Sequence, residues 1–377
     1  MNELLDAAFN PLLASVYRTP EPVPLPPEMI RLDRNERVGP YSQETATAIF
    51  SCLTASSLSD YPDNSNLYRT LVRRTSLPRE RLLLVPGSDA AFRALAHVFV
   101  QPGDRVAMLE PSYQMYPVYA RMFGGVPVQV PVRPDLSVDF DDLVAQTARS
   151  KILWLANPNQ PSGTVIPVER VTSLTRQAAR AGTIVVVDEA YYPFGGTTVI
   201  DRVTDHENLV VVRSFSKALG LAGVRLGFVA GPEAVVRALF KVRASFDINA
   251  LAIAAGEWAL DHPEIVASYV QETARSSEVL RTLAARHGLW APPSAANFQL
   301  IKVGPKFEPS AIKRACWDHG YAICAPVGAG PFSDYIRITT GTLDVIERFA
   351  QVLDHLLDTL DGRRARPEET LRVEAEP

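Results

Sequence analysis

The sequence has few of the features that mark membrane, secreted or metal-binding proteins. Its three cysteines, Cys52, Cys316 and Cys324, are odd in number and lack metal-ligand spacing, so we expect reduced thiols and no metal site. No apolar run approaches the roughly 20 residues that span a bilayer, and no signal peptide is recognisable. A formal net charge of −4 provides no basic stripe for nucleic acid. These absences favour a cytoplasmic protein without membrane or nucleic-acid partners.

Length and patterning predict an α/β protein with a large core. The chain has 377 residues, of which 47% are apolar and 21% charged, enough for one large and one smaller domain. Helical patterns alternate with strand-like segments, which predicts a mostly parallel sheet with helices on both faces. The predicted strands cover residues 82–85, 105–109, 151–156, 183–187, 209–213 and 225–229.

Composition shifts along the chain divide it into four parts. A proline-rich start is typical of an extended arm, residues 250–286 read as one long helical stretch, and the charged C-terminal end contains almost no core residues. We expect an N-terminal arm at 1–30, a large domain at 45–250, a small domain at 31–44 and 265–360, and a disordered tail at 361–377.

Two apolar runs, one ending in DEAYY and one in SFSKALGLAGVRLG, place reactive groups after predicted strands. In an open α/β sheet, such positions display ligand-binding side chains. Lys217 provides an amine that burial would make nucleophilic, and Asp188 provides a carboxylate that can hold a protonated ring nitrogen. Tyr191 can donate to a phenolate oxygen. This set of groups fits pyridoxal phosphate, whose phosphate would bind a charge-assisted group formed by Ser214, Ser216 and Arg225.

Upstream segments add to this set. Gly87, Ser88 and Asp89 join a predicted strand to a helix, whose N-terminus attracts phosphate. Tyr113 follows another strand and can lie on an aromatic ring, while Gln160 lies in a proline-rich turn. Each residue alone has an ordinary alternative as a surface lysine, a helix cap or a packed aromatic ring. Their combination carries the prediction.

The motifs, in their order, resemble those of the fold-type I pyridoxal-phosphate enzymes of the class I/II aminotransferases, most of all the histidinol-phosphate aminotransferase branch. They run from about residue 30 to 345 as LDRNERVGP, YPDNSNLYRTL, GSDAAF, EPSYQMYPVY, NPNQPSGT, VVVDEAYY, SFSKALGLAGVRLGF, PSAANF and YIRITTGT. The resemblance implies a mostly parallel seven-stranded sheet domain, a smaller α/β domain, pyridoxal 5'-phosphate as cofactor, and a homodimer.

The resemblance also implies roles for single residues. Lys217 is the Schiff-base lysine, Asp188 pairs with the pyridinium, Tyr191 contacts the phenolate oxygen and Tyr113 stacks on the ring. Tyr61 reaches the phosphate from the partner subunit. The remaining phosphate contacts are Gly87, Ser88, Asp89, Ser214, Ser216 and Arg225, and the substrate contacts are Arg337, which grips a carboxylate, with Asn35 and Tyr113.

The sequence departs from the family pattern at three positions. Gln160 stands where the family usually has asparagine, and Cys324 stands where this branch commonly has an arginine for the substrate phosphate. Losing a guanidinium that binds phosphate bidentately is not a conservative change. Arg37 stands where a neutral residue is usual; we expect it to be exposed, with Arg34 or Arg37 as an alternative anion contact.

The predicted activity is amino transfer between an amino acid or similar donor, with or without a phosphate, and a 2-oxo acid. Relatives in this branch also include decarboxylases and oxidases, so these reactions remain the alternative. A cofactor-binding sensor without turnover is a third possibility. The sequence shows no helix-turn-helix segment of the kind that such sensors usually carry.

Overall fold

A seven-stranded sheet forms the centre of the computed structural model, which describes residues 9–13, 16–17, 24–328 and 330–364. The strands among the described residues are β1 Ile30–Leu32, β2 Leu82–Val85, β3 Arg105–Glu110, β4 Val126–Pro131, β5 Ile152–Ala156, β6 Ile184–Asp188, β7 Leu209–Ser214, β8 Gly227–Ala230, β9 Phe298–Lys302, β10 Tyr321–Ile323 and β11 Tyr335–Thr339. The helices are α1 Gln43–Ser51, α2 Ser56–Ser59, α3 Ser65–Thr75, α4 Ser88–Phe99, α5 Met115–Met122, α6 Phe140–Thr147, α7 Val168–Arg180, α8 Glu233–Phe240, α9 Ala250–Asp261, α10 Pro263–Arg286, α11 Pro309–Asp318 and α12 Leu343–Arg364.

The strand order of the central sheet is β2-β8-β7-β6-β5-β3-β4, and every neighbouring pair is parallel except those that involve β8. The α/β class and the mostly parallel sheet are therefore confirmed. The strand-by-strand prediction missed β4, which contains Pro127 and Pro131. Proline has no N–H to donate to a neighbouring strand. Strand β4 tolerates its two prolines because it lies at the edge of the sheet and pairs on one side only.

The last predicted strand begins two residues later than expected. It was placed at 225–229, whereas β8 covers Gly227–Ala230. Arg225 has a backbone φ of +59°, in the left-handed region, so it cannot continue an extended strand. The chain thus turns at Arg225 and only then enters the sheet. Arg225 therefore lies just before the first residue of β8, beside the carboxyl ends of β2 and β7.

Strands β5, β6 and β7 are buried along almost their whole length, as expected for parallel strands covered by helices on both faces. Alternate side chains enter two apolar clusters. One cluster contains Leu153 and Val187, and the other contains Trp154 and Val186. This core holds the carboxyl ends of the strands in fixed positions.

A third apolar cluster lies among the elements after α9 and the segment around β1. Here β1 pairs in parallel with β10, β9 pairs antiparallel with β11, and α10, α11 and α12 pack against them. The helical stretch predicted at 250–286 is two helices, since α9 ends at Asp261 and α10 begins at Pro263. Proline lacks the N–H that a continuous helix would need there, and suits the first turn of a new helix.

The chain ends fall mostly outside the described residues. Of the predicted arm at 1–30, only 9–13, 16–17 and 24–30 are described, and of the predicted tail at 361–377, only 361–364. Those four residues continue α12. None of the helices in the described part of the chain is long and apolar enough to cross a bilayer. The predicted domain limits stay a prediction.

Candidate active site

The register of the sheet brings separate segments to one edge. Ser214, the last residue of β7, is opposite Gly227, the first of β8, and Gly227 is in turn opposite Val85, the last of β2. Because β8 runs against both neighbours, the residues before it lie beside those that follow β2 and β7. On the other side, Ala156 at the end of β5 is paired with Asp188 at the end of β6. All these chain turns therefore face the same crevice.

A positively charged hollow forms where β2 leads into α4. Gly87 precedes the helix with φ +83°, and a β-carbon added there would overlap with the guanidinium of Arg225. Arg225 Nη1 lies 3.4 Å from Ser216 Oγ, and Ser214 Oγ accepts the Ser216 backbone N–H at 3.1 Å. The N-terminus of the twelve-residue α4 opens beside them. A helix N-terminus with an arginine and hydroxyls is suited to a phosphate group.

Asp188 ends β6 as a buried carboxylate whose two oxygens are both hydrogen-bonded. Oδ1 accepts the Ala190 backbone N–H at 3.0 Å, and Oδ2 accepts the hydroxyl of Tyr116 at 2.6 Å. Burial raises the pKa of Asp188 to about 6, against the effect of these two hydrogen bonds. Tyr116 was missed from the sequence. Its place in α5, three residues after Tyr113, is the only signal that could have indicated it.

Tyr191 lies at the centre of a chain of hydrogen bonds that links the segment after β1 to the turn after β5. Its hydroxyl accepts Asn35 Nδ2 at 2.8 Å and donates to Gln160 Oε1 at 2.5 Å. With Oε1 occupied in this way, the Gln160 Nε2 group remains as a second donor beside the tyrosine. Burial raises the pKa of Tyr191 to about 12, so the hydroxyl keeps its proton at neutral pH.

Lys217 follows β7 and reaches across the crevice to the segment after β1. Its Nζ donates to the backbone carbonyl of Arg34 at 3.1 Å. Desolvation, helped by the positive charge of Arg337, lowers the pKa of Lys217 to about 8. Since the charged ammonium is disfavoured there, about a tenth of these amines would be free at pH 7, far more than for an ordinary lysine.

Tyr113 faces the same crevice from the loop after β3. Its hydroxyl donates to Asp89 Oδ1 at 2.8 Å, and its ring meets Tyr116 edge to face at 5.4 Å. Burial and the Asp89 carboxylate raise the pKa of Tyr113, which therefore remains a neutral phenol. Asp89 also lies 4.0 Å from Arg225, so it links the tyrosine to the phosphate-binding side.

Arg337 brings a buried cation from β11 to the opposite wall. Its side chain is 7% exposed, its Nη2 donates to the Asp33 carbonyl at 2.6 Å, and its Nε has no hydrogen-bond partner among the described residues. A largely buried arginine that lines the cavity is suited to an anionic ligand, because a charge-assisted hydrogen bond is strong where water is excluded.

These groups enclose one cavity of about 570 Å³. Two of the predicted site residues do not line it: Gly87 lies behind Arg225, and Tyr61 is 77% exposed and stacks on Phe246 at 4.1 Å. The predicted site residues that do line the cavity are Asn35, Ser88, Asp89, Tyr113, Gln160, Asp188, Tyr191, Ser214, Ser216, Lys217, Arg225 and Arg337.

The expectation for Arg37 was wrong. Its guanidinium is not an exposed group but lies 4.5 Å from the ring centre of Tyr41 and 3.9 Å from that of Tyr269, and two of its nitrogens are buried. Cation–π contact with two rings explains why it turns inward. Of the two arginines proposed as anion contacts, Arg34 lines the cavity and Arg37 does not.

The arrangement is suited to a phosphorylated aromatic aldehyde. Across the part of the chain that the structure describes, no group of three or more histidine, cysteine or acidic side chains could hold a metal ion. The cavity instead offers an amine, a buried carboxylate, a phenol donor and a phosphate-binding turn within one space. These are the groups that the ring, the aldehyde and the phosphate of pyridoxal phosphate require.

Comparison with known proteins identifies the family. The sequence matches the family model for aminotransferase class I and II over residues 28–353. It is 35% identical to histidinol-phosphate aminotransferase of Symbiobacterium thermophilum, covering 86% of this chain and 90% of that protein, and 32% identical to that of Thermococcus kodakarensis, covering 72% and 79%. The crystal structure of histidinol-phosphate aminotransferase from Sinorhizobium meliloti with pyridoxal-5'-phosphate superposes with a TM-score of 0.82, at 26% identity over 93% of this chain and 98% of that one. The chain belongs to the class I and II aminotransferases, a family of pyridoxal-phosphate-dependent transaminases, and is similar to its histidinol-phosphate aminotransferases.

Proposed function

We propose that this chain binds pyridoxal 5'-phosphate in the cavity and moves an amino group from an amino acid or similar donor to a 2-oxo acid. The observation that carries the proposal is the pairing of Lys217 and Asp188 in one cavity, with an amine of lowered pKa on one side and a buried carboxylate on the other. Membership of the family supports amino transfer as the class of reaction. The pairing of Lys217 and Asp188 supports the binding of pyridoxal phosphate in this cavity.

The close packing of Arg225 on Gly87 supports the fit of the phosphate. A β-carbon at 87 would overlap with the guanidinium, so glycine lets Arg225 lie directly beside the turn that opens α4. The phosphate would lie against Ser88, Ser214, Ser216 and Arg225. From this position the ring would extend towards Asp188, with Tyr191 and Gln160 at its hydroxyl side.

When bound, the cofactor supplies a carbonyl that accepts the amino group and a ring that accepts electrons. Asp188 would hold the proton on the ring nitrogen. Lys217, with a pKa lowered to about 8, would take the proton from the substrate α-carbon and deliver it to the carbon that was the cofactor's carbonyl carbon. Tyr113 would cover one face of the ring and exclude water. Tyr191, a neutral phenol with a pKa of about 12, would donate to the ring oxygen.

Arg337 favours amino transfer over decarboxylation. Because its guanidinium belongs to a largely buried side chain that lines the cavity, it would hold a substrate carboxylate in a fixed salt bridge. A decarboxylase needs that carboxylate out of the ring plane and free to leave. The same arginine would bind the carboxylate of the 2-oxo acid in the second half of the reaction.

The donor is proposed to be free of phosphate. Cys324 and Arg337 face each other across an antiparallel bridge, with backbone hydrogen bonds of 3.1 and 2.8 Å, so their side chains share a face. An arginine at 324 would add a second cation beside Arg337, and cysteine adds none. Turnover of histidinol phosphate and of phosphate-free amino acids should be compared in the wild type and in Cys324→Arg. We expect the variant to gain preference for the phosphorylated donor.

A homodimer is proposed because Tyr61 lies away from the cavity of its own subunit. The exposed stack of Tyr61 on Phe246 leaves the tyrosine hydroxyl available to a second copy. In a dimer it would reach the partner's phosphate site. Sedimentation would give the oligomeric state, and mixing of inactive Lys217→Ala and Tyr61→Phe chains would show complementation. The cytoplasmic location stays a proposal that cell fractionation tests.

The proposed reaction is tested by adding an amino donor alone to protein loaded with pyridoxal phosphate. Amino transfer predicts loss of the absorbance of the lysine-bound cofactor and one equivalent of pyridoxamine phosphate, with absorbance restored by a 2-oxo acid. Release of CO₂ or consumption of O₂ without pyridoxamine phosphate would indicate the decarboxylase or oxidase alternative. Unchanged absorbance with every donor would favour a sensor.

A further inference from the structure

Tyr116 is a buried tyrosine whose hydroxyl donates a hydrogen bond to the side chain of Asp188. Its hydroxyl lies 2.6 Å from Asp188 Oδ2, and its side chain is fully buried. Burial and the neighbouring carboxylate raise the pKa of Tyr116 well above that of a free phenol. The phenol is therefore neutral throughout the accessible pH range, and in this pair it is the donor.

The ring of Tyr116 is held in place by other aromatic side chains. Phe92 lies 4.8 Å away between ring centres, Tyr113 lies 5.4 Å away and Trp154 lies 5.7 Å away. Phe92 belongs to α4, Tyr113 to the loop after β3, and Trp154 to β5. Three separate elements therefore fix the direction of the Tyr116 hydroxyl. Removing the oxygen alone would leave this packing intact.

The hydrogen bonds leave Asp188 free to bind a further donor. Each carboxylate oxygen has about two lone-pair positions, and the two contacts seen here use one on each oxygen. The Ala190 amide is a backbone group that any residue at 190 would supply. The hydroxyl of Tyr116 is the side-chain contact, and so the one that a substitution can remove.

We propose that Tyr116 is a positioning residue that fixes the rotamer and the charged form of Asp188, and so sets how firmly Asp188 holds the proton on the cofactor's ring nitrogen. The inference rests on the proposed function, because it assigns that task to Asp188. Tyr116 touches neither the cofactor nor the substrate in this account and acts through the carboxylate alone. Loss of its hydroxyl leaves a buried carboxylate oxygen without that donor and weakens the anion.

Other groups also act on Asp188 and must stay unchanged in a test. Burial raises its pKa, Asp89 and Glu189 raise it further through their negative charges, and the Ala190 amide lowers it. Tyr113 and Tyr191 face it as neutral phenols. A tyrosine-to-phenylalanine change at 116 alters none of these, so any shift in the pKa of Asp188 reports the lost hydroxyl.

The test measures the titration of Asp188 in protein without cofactor, as the infrared carbonyl band that Asp188→Asn abolishes. Tyr116→Phe should raise the pKa of Asp188 by about one unit from its value of about 6. Site-specific incorporation of 3,5-difluorotyrosine at 116, whose hydroxyl is a stronger donor, should lower it. Tyr68→Phe is the matched control, since its buried hydroxyl accepts the Leu84 amide at 2.9 Å in the same domain, away from the cavity.

With pyridoxal phosphate bound, Tyr116→Phe should shift the pH at which the cofactor absorbance changes and lower the turnover number about tenfold, with little change in KM. Tyr68→Phe should change neither. If Tyr116→Phe does not fold, the fluorinated tyrosine still decides the question by the sign of its shift. An unchanged pKa of Asp188 in both altered proteins overturns the proposal. Failure of the wild type to bind the cofactor would overturn the proposed function but not the measured coupling.

Discussion

The backbone of Gly87 lies so close to Arg225 that a β-carbon on this glycine would overlap with the guanidinium. Gly87→Ala should therefore displace Arg225, and we expect the affinity for pyridoxal phosphate to fall at least about tenfold, or about 1.4 kcal/mol. The backbone itself is also strained by the change, because φ is +83°.

Gly103→Ala separates these two effects. Gly103 has φ +90° and no atom within 4 Å of an added β-carbon, so its substitution strains the backbone without touching the site. Both variants should lose about 1–2 kcal/mol of unfolding free energy, and only Gly87→Ala should lose cofactor affinity in equilibrium titrations. Equal affinities in both variants would contradict the assignment of the phosphate to this turn.

Asp188 should destabilise the protein without cofactor at neutral pH. Burial raises the pKa of this acid from 3.8 to about 6, so its contribution to stability is present below pH 3.8 and is lost as pH rises through about 6. Asp188→Asn, which cannot ionise, should then be the more stable protein above pH 7, by up to about 3 kcal/mol. Urea unfolding at pH 4 and pH 7.5 checks this.

With pyridoxal phosphate bound, the wild type should instead be more stable than Asp188→Asn. A protonated ring nitrogen stabilises the Asp188 carboxylate, and the neutral asparagine cannot form this ion pair. If Asp188→Asn is no more stable than the wild type without cofactor at pH 7.5, Asp188 is ionised there at no cost, and the account of its burial is wrong.

Lys217 should react with pyridoxal phosphate at a lower pH than an ordinary lysine. Its pKa is lowered from 10.5 to about 8, so the fraction of free amine should reach one half at about pH 8 and level off above about pH 9. The rate of absorbance change after the protein is mixed with the cofactor measures the reactivity of the Lys217 amine at each pH. Nα-acetyl-lysine, with an ordinary side-chain pKa near 10.4, should still gain reactivity at pH 9 to 10. Parallel pH profiles for the two amines would disprove the effect of burial.

Arg337 and Arg34 both line the cavity but should differ in effect, because Arg337 is buried and Arg34 is exposed. Arg337→Ala should raise the KM of both the amino acid and the 2-oxo acid about a hundredfold while leaving the cofactor spectrum intact. Arg34→Ala should change these constants only a few-fold. Steady-state kinetics of both half-reactions gives the comparison, and the reverse ranking would make Arg34 the carboxylate contact.

Much of the fold was predictable because buried parallel strands have a simple signature. The runs ending at Asp188 and Ser214 each contain three consecutive valines, and both are strands. The edge strand β4 was not found, since Pro127 and Pro131 argue against a strand unless its edge position is known. The two-residue shift at β8 depended on the left-handed backbone of Arg225, which an arginine seldom adopts.

The lining of the site was predictable where a residue follows a strand, and was missed where it depends on side-chain contacts across elements. Tyr116 lies inside α5 and looks in the sequence like any packed aromatic residue, although it is the partner of Asp188. The inward turn of Arg37 depends on Tyr269, which is more than 200 positions away along the chain. Sequence periodicity carries no information on such distant pairs.

The central claim is that the amine of Lys217 joins covalently to pyridoxal phosphate, and peptide mass spectrometry after borohydride reduction tests it most directly. Protein incubated with the cofactor and then reduced should carry one phosphopyridoxyl group per chain, on the peptide that contains Lys217. An amino donor added before reduction should remove the label. Reduced protein with no label at Lys217, or with the group on another lysine, would contradict the account.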